Sequence, residues 1–235
     1  MNVVAIVPAA GSGVRMQNAG KKPYIELQGQ TILGYTLSAL SRSESITGIV
    51  IAVSPGDEDF CREQVVSGLH LRPEISIIAG GERRQDSVAN ALAVLPPACE
   101  VVLIHDGARP FITPEILEET AAAALRCGAA TAAVPVKDTI MSRDAADADE
   151  PEPLERHKLF AIQTPQAFRP DIIKAAHANA CTAPMQATDD ASLVRYMGMP
   201  VAITSGSYEN IKITTAVDLV YAEALLKEHG ARSSR

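Results

Sequence analysis

Residues 3–16 of the chain are Val-Val-Ala-Ile-Val-Pro-Ala-Ala-Gly-Ser-Gly-Val-Arg-Met, an apolar run followed by a glycine-rich turn. Its continuous apolar and β-branched start is typical of a strand buried on both faces of a parallel sheet. The small residues and glycines that follow let backbone N–H groups approach an anion closely, and Arg15 adds a positive charge. The stretch therefore predicts a buried strand and a turn suited to phosphate. On its glycines alone, an ordinary tight turn explains it equally well.

Short apolar runs of the same kind recur along the chain and alternate with segments of helical periodicity. Strands are predicted at residues 48–53, 74–78, 101–105 and 131–136, and helices at residues 31–42, 57–67, 84–95 and 114–126. This alternation predicts an α/β fold with a mostly parallel sheet and helices on both of its faces. Ligands of such sheets bind at the carboxyl ends of the strands, so the turns after the first, third and fourth strands are the candidate sites.

The alternation breaks at residues 141–158, which contain almost nothing to bury and lie between two strand-like segments. We interpret this acidic stretch as the solvated tip of a projecting β-hairpin, and a disordered linker between two domains is the alternative. The segments after it are too short for an independent core and are expected to complete the first sheet. A single domain over residues 1–235 is therefore expected, with residues 228–235 fraying.

The composition excludes several classes of protein. With 47% hydrophobic residues and a formal net charge of −7 over 235 residues, the chain is too apolar to be disordered. Its apolar runs are far too short to span a bilayer and no basic segment precedes the first, so neither a membrane span nor a signal peptide is expected. The acidic balance argues against a nucleic-acid surface. Four dispersed cysteines without a CxxC pair indicate reduced thiols and a cytoplasmic protein.

Two later turns carry residues suited to a nucleotide or a sugar. After the third strand, Gly81 and Ser87 offer backbone amides at a helix start and a hydroxyl, which suits a base edge, a ribose or a phosphate. A capped turn is an equal alternative there. Asp106 follows the fourth strand and is well placed to hold a sugar hydroxyl or hydrated Mg²⁺, with a structural pair to Arg109 as the competing interpretation. His105 beside it is interpreted as a packed or hydrogen-bonded residue.

Lysines stand out at two further places. Lys21 and Lys22 lie in the same connection as Arg15 and add charge to the phosphate turn, whereas exposed lysines usually only solvate a surface. Lys212 lies between two apolar residues in a strand-like run, where a lysine is costly unless it faces a pocket. Thr188 and Asp189 precede a helical segment and, taken alone, form an ordinary helix N-cap.

The glycine-rich turn fits neither of two common nucleotide motifs. A dinucleotide fingerprint needs a third glycine where Met16 stands and an acid where Ser54 and Pro55 close the second strand. No GxxxxGK[ST] sequence occurs either. An NAD-dependent oxidoreductase is therefore the least supported function class.

Taken together, the motifs resemble those of one family over residues 3–226. In order, they are Pro-Ala-Ala-Gly-x-Gly-x-Arg-Met, Lys-Pro-Tyr, Gly-Gly-x-x-Arg-x-x-Ser-Val, His-Asp-x-Ala-Arg-Pro, Gln-Thr-Pro-Gln-x-Phe, Thr-Asp-Asp and Glu-Asn-Ile-Lys-Ile-Thr. The series resembles the 2-C-methyl-D-erythritol 4-phosphate cytidylyltransferases of the non-mevalonate isoprenoid pathway. The chain departs from that pattern in an acidic insert at 144–153, at Pro23, where the family often has Gln, and at Glu209, where Asp is common.

The resemblance implies a Rossmann-like, three-layer fold and an activity. CMP would pass from CTP to the phosphate of 2-C-methyl-D-erythritol 4-phosphate, giving 4-diphosphocytidyl-2-C-methyl-D-erythritol and pyrophosphate. The implied catalytic residues are Arg15, Lys22 (with Lys21 as a competitor) and Lys212. The implied nucleotide-binding residues are Ala9, Ala10, Gly11, Gly81, Ser87 and Gly107. The implied acceptor-binding residues are Asp106, Arg109, Thr139, Arg156, Thr164, Thr188 and Lys212.

The resemblance also implies a metal and an assembly. Mg²⁺ would be held mainly by the CTP phosphates, with Asp106 as a candidate ligand, and no organic cofactor is expected. Family members are homodimers whose hairpin arms embrace, so an arm at about 137–163 would place Thr139, Arg156 and Thr164 in the partner's active site. No nucleic acid or membrane partner is expected. The alternatives are the same transfer to ribitol 5-phosphate and a nucleotide-binding module without catalysis.

Overall fold

The computed structural model describes residues 1–11, 22–142, 152–182 and 187–233. Its strands are β1 (Val3–Pro8), β2 (Glu26–Leu27), β3 (Gln30–Thr31), β4 (Ile46–Val53), β5 (Glu74–Ala79), β6 (Val101–Ile104), β7 (Ala129–Pro135), β8 (Met141–Ser142), β9 (Glu152–Pro153), β10 (Phe160–Phe168) and β11 (Ala202–Ser205). Its helices are α1 (Ile32–Leu40), α2 (Glu58–Cys61), α3 (Arg84–Ala93), α4 (Pro114–Cys127), α5 (Pro170–Thr182), α6 (Asp190–Tyr196) and α7 (Ala216–Ser233). No helix within these ranges combines the length and apolarity needed to cross a bilayer.

Seven of the strands form one central sheet. Their spatial order is β11-β7-β10-β6-β1-β4-β5. The pairs β1–β4, β1–β6, β4–β5 and β7–β11 are parallel, and β10 runs antiparallel to both β6 and β7. The prediction of an α/β fold with a mostly parallel sheet is confirmed.

Helices cover both faces of the sheet, and β1 shows why. Val3, Ala5 and Val7 pack into a core with residues of α1 and α4. Val4 and Ile6 point the other way and pack with residues of α3, α5 and α6. Because alternate side chains of a strand point to opposite faces, an uninterrupted apolar run is what a central strand of a three-layer fold requires.

A β-hairpin lies between β7 and β10, where the sequence predicts one. β7 and β10 pair antiparallel within the sheet, and between them β8 pairs antiparallel with β9. Residues 137–142 and 152–158 are all exposed. Residues 143–151, which hold most of the acidic tip, lie outside the described residues.

The final helix differs from its expected end. The sequence predicts fraying from residue 228, whereas α7 continues to Ser233. His229 contributes to this continuation, because its Nε2 lies 3.0 Å from Glu209 Oε2 and its ring packs edge-on against Phe111. The helix therefore gains tertiary contacts beyond the predicted boundary.

The antiparallel strand β10 is irregular in its middle. Ile162 pairs with Ala133 and Gln166 pairs with Thr131, so four steps along β10 oppose two steps along β7. The extra residues bulge out of the ladder, and such bulges re-aim side chains. Here the bulge contains Thr164, which is buried at the end of β6.

Candidate active site

The turns after β1 and β5 pack against each other at the carboxyl edge of the sheet. A Cβ at Gly80 would lie 2.8 Å from both Ala10 Cβ and Ser87 Oγ, and a Cβ at Gly81 would overlap that of Asp86. Real Cβ atoms do not approach neighbours this closely. Glycine at both positions therefore lets the turn fold tightly and brings the predicted nucleotide-binding residues of the two strands together.

Two of the predicted nucleotide-binding residues are engaged within the fold. Ser87 is 1% exposed, and its Oγ accepts a hydrogen bond from the Gly81 N–H (3.0 Å) and donates one to the Arg83 carbonyl (3.2 Å). The Gly107 carbonyl accepts from the Thr36 hydroxyl at 3.1 Å. The Ser87 hydroxyl that was predicted to face a nucleotide thus holds the turn, as the capped-turn alternative had it.

The residues expected to act on the triphosphate are only partly described. Gly11 is the last described residue before Arg15 and Lys21, both of which lie outside the described residues. Lys22 begins a short 3₁₀ turn that ends at Tyr24. The roles of Arg15 and Lys22 therefore stay predictions.

Asp106 is the centre of a cluster of charges at the end of β6. The Arg84 Nε lies 3.1 Å from one carboxylate oxygen, and the Lys212 Nζ lies 2.8 Å from the other. The Arg109 Nε approaches that second oxygen to 3.7 Å. Asp106 therefore forms the structural pair with Arg109 that the sequence left open, and also pairs with two cations at sites distant in sequence.

The charges of the cluster hold its acids ionised. Burial alone would raise the pKa of Asp106, but Arg84 and Lys212 outweigh burial and hold that pKa well below its usual value. Burial likewise opposes ionisation of Asp190, whose pKa is nevertheless lowered by Arg84 and by a hydrogen bond from His177. At neutral pH both carboxylates are charged, and they offset two of the three positive charges of Arg84, Arg109 and Lys212.

Thr164 completes a chain of buried hydrogen bonds below Asp106. Its Oγ1 accepts from the Asp106 N–H (3.1 Å) and lies 3.2 Å from His105 Nδ1, and His105 Nε2 lies 3.0 Å from the Arg109 carbonyl. All four groups are satisfied when the neutral ring accepts at Nδ1 and donates at Nε2. The structure corrects the assignment of Thr164 to the partner's site, because its buried hydroxyl already contacts its own chain's Asp106 and His105.

This hydrogen-bond chain predicts acid sensitivity through His105. Burial lowers the pKa of His105 to about 4, whereas an unfolded histidine has a pKa of about 6.5. The unfolded state therefore takes up a proton first, and the free energy of unfolding should fall as the pH drops from about 6.5 to about 4. Urea unfolding at a series of pH values measures this, and His105→Asn should flatten the slope, while the exposed His70→Asn control keeps it. Equal slopes for both variants and the wild type would exclude His105 as the cause.

Lys212 lies in a loop, so the prediction that it belongs to a strand is wrong. The loop is positioned by Asn210, which is fully buried and donates from Nδ2 to Gln163 Oε1 (3.2 Å) and to the Thr164 carbonyl (2.8 Å). Arg109 Nη1 donates to the Asn210 carbonyl at 2.6 Å. These bonds replace the ladder that a strand would make, and they present the Lys212 ammonium to Asp106.

The sequence missed two members of the cluster, Arg84 and Asp190. Arg84 Nη1 lies 2.6 Å from Asp190 Oδ2, and both residues line a small cleft together with Thr188. The predicted N-cap is confirmed at Asp189, whose Oδ1 accepts from the Ser192 N–H at 2.9 Å. The Arg in the Gly-Gly-x-x-Arg motif was the available signal for Arg84.

The predicted arm residues do not join this cluster within one chain. Arg156 is exposed, and its Nη1 donates to the Lys137 carbonyl at 3.2 Å along the arm. Thr139 is exposed as well. Among the described residues, no hydrogen bond or ion pair connects either side chain to Asp106.

Asp106, the candidate metal ligand, is surrounded by cationic side chains. Both Asp106 oxygens already contact cationic groups, so Asp106 is not a free ligand and the candidate metal role is not supported. In the described part of the chain, no three His, Cys, Asp or Glu side chains converge as metal ligands. A Mg²⁺ ion coordinated by triphosphate oxygens needs no such group.

Known proteins are similar to this chain in sequence and in fold. A protein-family profile described as 2-C-methyl-D-erythritol 4-phosphate cytidylyltransferase matches residues 3–228. The enzyme of that name from Pelotomaculum thermopropionicum is 46% identical over 98% of this chain and 96% of its own length. The solved 4-diphosphocytidyl-2C-methyl-D-erythritol synthase from Anaerococcus prevotii is 33% identical, with a TM-score of 0.85 over 96% of each chain. The solved cytidylyltransferase from Thermus thermophilus is 34% identical, with a TM-score of 0.78 over 97% of this chain and all of its own.

The paired turns and the cation-flanked carboxylate, together with these relatives, define a nucleotidyltransferase, an enzyme that moves a nucleoside monophosphate from its triphosphate to an acceptor. Within that class, the chain belongs to the 2-C-methyl-D-erythritol 4-phosphate cytidylyltransferase family.

Proposed function

We propose that this chain transfers CMP from CTP to the phosphate of 2-C-methyl-D-erythritol 4-phosphate and uses the Asp106 cluster as its acceptor pocket. The observation that carries the proposal is the position of Asp106, between Lys212 and Arg84 at the edge where the glycine-rich turns meet. To bind a polyol phosphate, a site needs a group that accepts hydrogen bonds from the hydroxyls and, beside it, a cation that pairs with the phosphate. This cluster provides both.

The reaction needs charge control more than acid–base catalysis. A phosphate monoester has a second pKa of about 6, so the acceptor phosphate is largely dianionic at neutral pH and is already a nucleophile. One of its oxygens attacks the α-phosphorus of CTP, and the bond from that phosphorus to the bridging oxygen breaks, so pyrophosphate leaves. What the protein supplies is the alignment of two polyanions and the stabilisation of charge at the α-phosphorus.

The residue roles follow from this requirement. Asp106 and Thr188 accept hydrogen bonds from the acceptor's hydroxyl groups, and Arg109 orients Asp106. Lys212 fixes the acceptor phosphate. On the nucleotide side, the cytidine is surrounded by the backbone around Ala9, Ala10 and Gly11 and by the turn at Gly81, which Ser87 holds. Gly107 contributes its backbone to the same pocket. Arg15 and Lys22 stabilise the charge on the triphosphate.

A divalent cation belongs to this proposal through the substrate. When held by the CTP phosphates, Mg²⁺ would neutralise part of their charge and make pyrophosphate a better leaving group. The protein's contribution is its cationic side chains, Arg15, Lys22 and Lys212, which act beside that ion. We propose no organic cofactor.

The arm supports a homodimer with shared active sites. Five large apolar side chains on or beside it are more than a third exposed: Ile140, Met141, Leu154, Phe160 and Ile162. Apolar surface of this kind marks a protein interface. We propose that the arm, at about 137–163 of a single domain over 1–235, reaches a second copy and brings Thr139 and Arg156 to its acceptor pocket.

We place the reaction in the cytoplasm, in line with the free thiols of Cys61, Cys99 and Cys127.

An assay with two acceptors tests the proposal. CTP and Mg²⁺ are supplied with either 2-C-methyl-D-erythritol 4-phosphate or ribitol 5-phosphate, and pyrophosphate release is measured. We expect release with the first acceptor alone. Release with ribitol 5-phosphate alone would mean that the chain catalyses the same kind of transfer to a different acceptor, in a different pathway. Absence of release with both, when CTP still binds, would favour a nucleotide-binding module without catalysis.

A further inference from the structure

Arg84 connects the two halves of the site. It is the first residue of α3, directly after the turn that carries Gly81, so its backbone belongs to the nucleotide side. Its side chain extends to the acceptor side, where Nε contacts Asp106 and Nη1 contacts Asp190. One planar guanidinium thus joins carboxylates at the end of β6 and at the start of α6.

The Asp190 end of this bridge is held in place by further hydrogen bonds. Asp190 is 1% exposed, its other oxygen lies 3.0 Å from His177 Nε2, and its backbone N–H donates to Gln166 Oε1 at 3.1 Å. The Arg84 fork is therefore anchored at a rigid point. The Nε end of the same guanidinium then fixes the orientation of the Asp106 carboxylate.

Arg84 also weakens the competition between Asp106 and the acceptor phosphate for the Lys212 ammonium. In this structure Lys212 is paired with Asp106, yet in the proposed reaction the same ammonium must hold the acceptor phosphate. A carboxylate that is shared with Arg84 attracts Lys212 less than a carboxylate left to Lys212 and Arg109 alone. Keeping one oxygen of Asp106 on Arg84 leaves the ammonium available for phosphate.

We propose that Arg84 is a positioning residue for the acceptor, which acts through Asp106 and is anchored by Asp190. This inference rests on the proposed cytidylyl transfer. Its side chain touches the orienting carboxylate and need not touch either substrate.

The test compares Arg84→Met and Arg84→Lys with the control Arg83→Met. Arg83 is the adjacent arginine, is largely exposed, and pairs with Asp86 on its own helix. We expect Arg84→Met to lower kcat/KM for the acceptor about 100-fold, the typical cost of a misplaced reacting group. The CTP dissociation constant, measured by calorimetry, should stay near wild type. Thermal unfolding should show a folded protein with a lowered Tm, because Arg84→Met removes a cation from the buried Asp190. Arg84→Lys keeps the charge but cannot bridge two carboxylates, so it should recover about tenfold of the loss.

A double variant tests the anchor. Asp190→Asn should lower kcat/KM for the acceptor in the same direction, and Arg84→Met/Asp190→Asn should be no worse than Arg84→Met alone, because Asp190 acts through Arg84. Losses that multiply would overturn the proposal, as would equal losses in Arg83→Met and Arg84→Met.

The wild type separates this inference from the function on which it rests. A wild type that transfers no CMP ends both proposals. An active wild type with an Arg84→Met variant of unchanged acceptor kcat/KM, or with CTP binding lost in parallel, overturns the positioning role alone.

Discussion

Lys212→Met is expected to lower kcat by about 10²–10³, the usual cost of removing one charged group that stabilises a transition state. The ammonium lies 2.8 Å from Asp106 Oδ2, within the proposed acceptor pocket, and its loop is held by the buried Asn210. Methionine keeps most of the length and apolar stem of lysine, so the substitution removes the charge with little change in packing. The measurement is steady-state pyrophosphate release with both substrates varied.

The form of the loss separates two roles for Lys212. Fixing the phosphate for attack predicts that kcat falls, whereas simple attraction of the substrate predicts a raised KM at unchanged kcat. Lys174→Met is the matched control, since Lys174 is exposed on α5 and its loss should leave both constants unchanged. A Lys212→Met enzyme with wild-type kcat would remove Lys212 from the reaction step.

Mixed dimers give the second large effect. Arg15→Ala and Arg156→Ala homodimers should each lose about 10²–10³ in kcat. If the arm completes the partner's site, a mixed dimer has one site with both substitutions and one intact site. Random mixing makes half of the dimers mixed, so activity should recover to about a quarter of wild type by the symmetry of the assembly.

A second mixture serves as the control for this experiment. Arg15 and Lys212 are both assigned to a chain's own site, so mixing Arg15→Ala with Lys212→Met leaves every site with one substitution and should restore nothing. Recovery of activity in both mixtures would point to intact, unsubstituted protein in the samples and not to shared active sites. A mixture of Arg15→Ala and Arg156→Ala as inactive as its parents would contradict the shared site.

The edge of the sheet that carries the site could be predicted from the sequence. Buried strands signal their ends by a change from apolar to polar or small residues, and parallel strands bring those ends together. Gly81 and Asp106 were found in this way. The resemblance to a known family added roles for them that spacing alone does not contain.

The partners within the site could not be predicted. Arg84 and Asp190 are 106 positions apart, and no local pattern connects them. Arg83 and Arg84 are adjacent and chemically identical, yet the side chain of Arg83 is 64% exposed and that of Arg84 28%. One residue along a helix turns a side chain by about 100°, so only the exact start of α3 decides which arginine faces inward.

Thr164 shows a different limit. An alternating pattern predicts which face of a strand a residue occupies, but the irregular pairing of β10 between Ile162 and Gln166 breaks that alternation. The same interruption moves Thr164 from the expected arm to the end of β6. A bulge depends on which strands become neighbours, and that information is not local.

The antiparallel strand β10 also sets an order of assembly. The β5-β4-β1-β6 half of the sheet uses residues 3–104 and pairs without it, whereas β7 and β11 reach that half only through residues 160–168. A chain leaving the ribosome can therefore pair the strands of its nucleotide-binding edge long before Thr164 arrives beneath Asp106. With the residue roles proposed here, the place for CTP forms first during synthesis, and the place for the acceptor is complete only after Lys212 has been made.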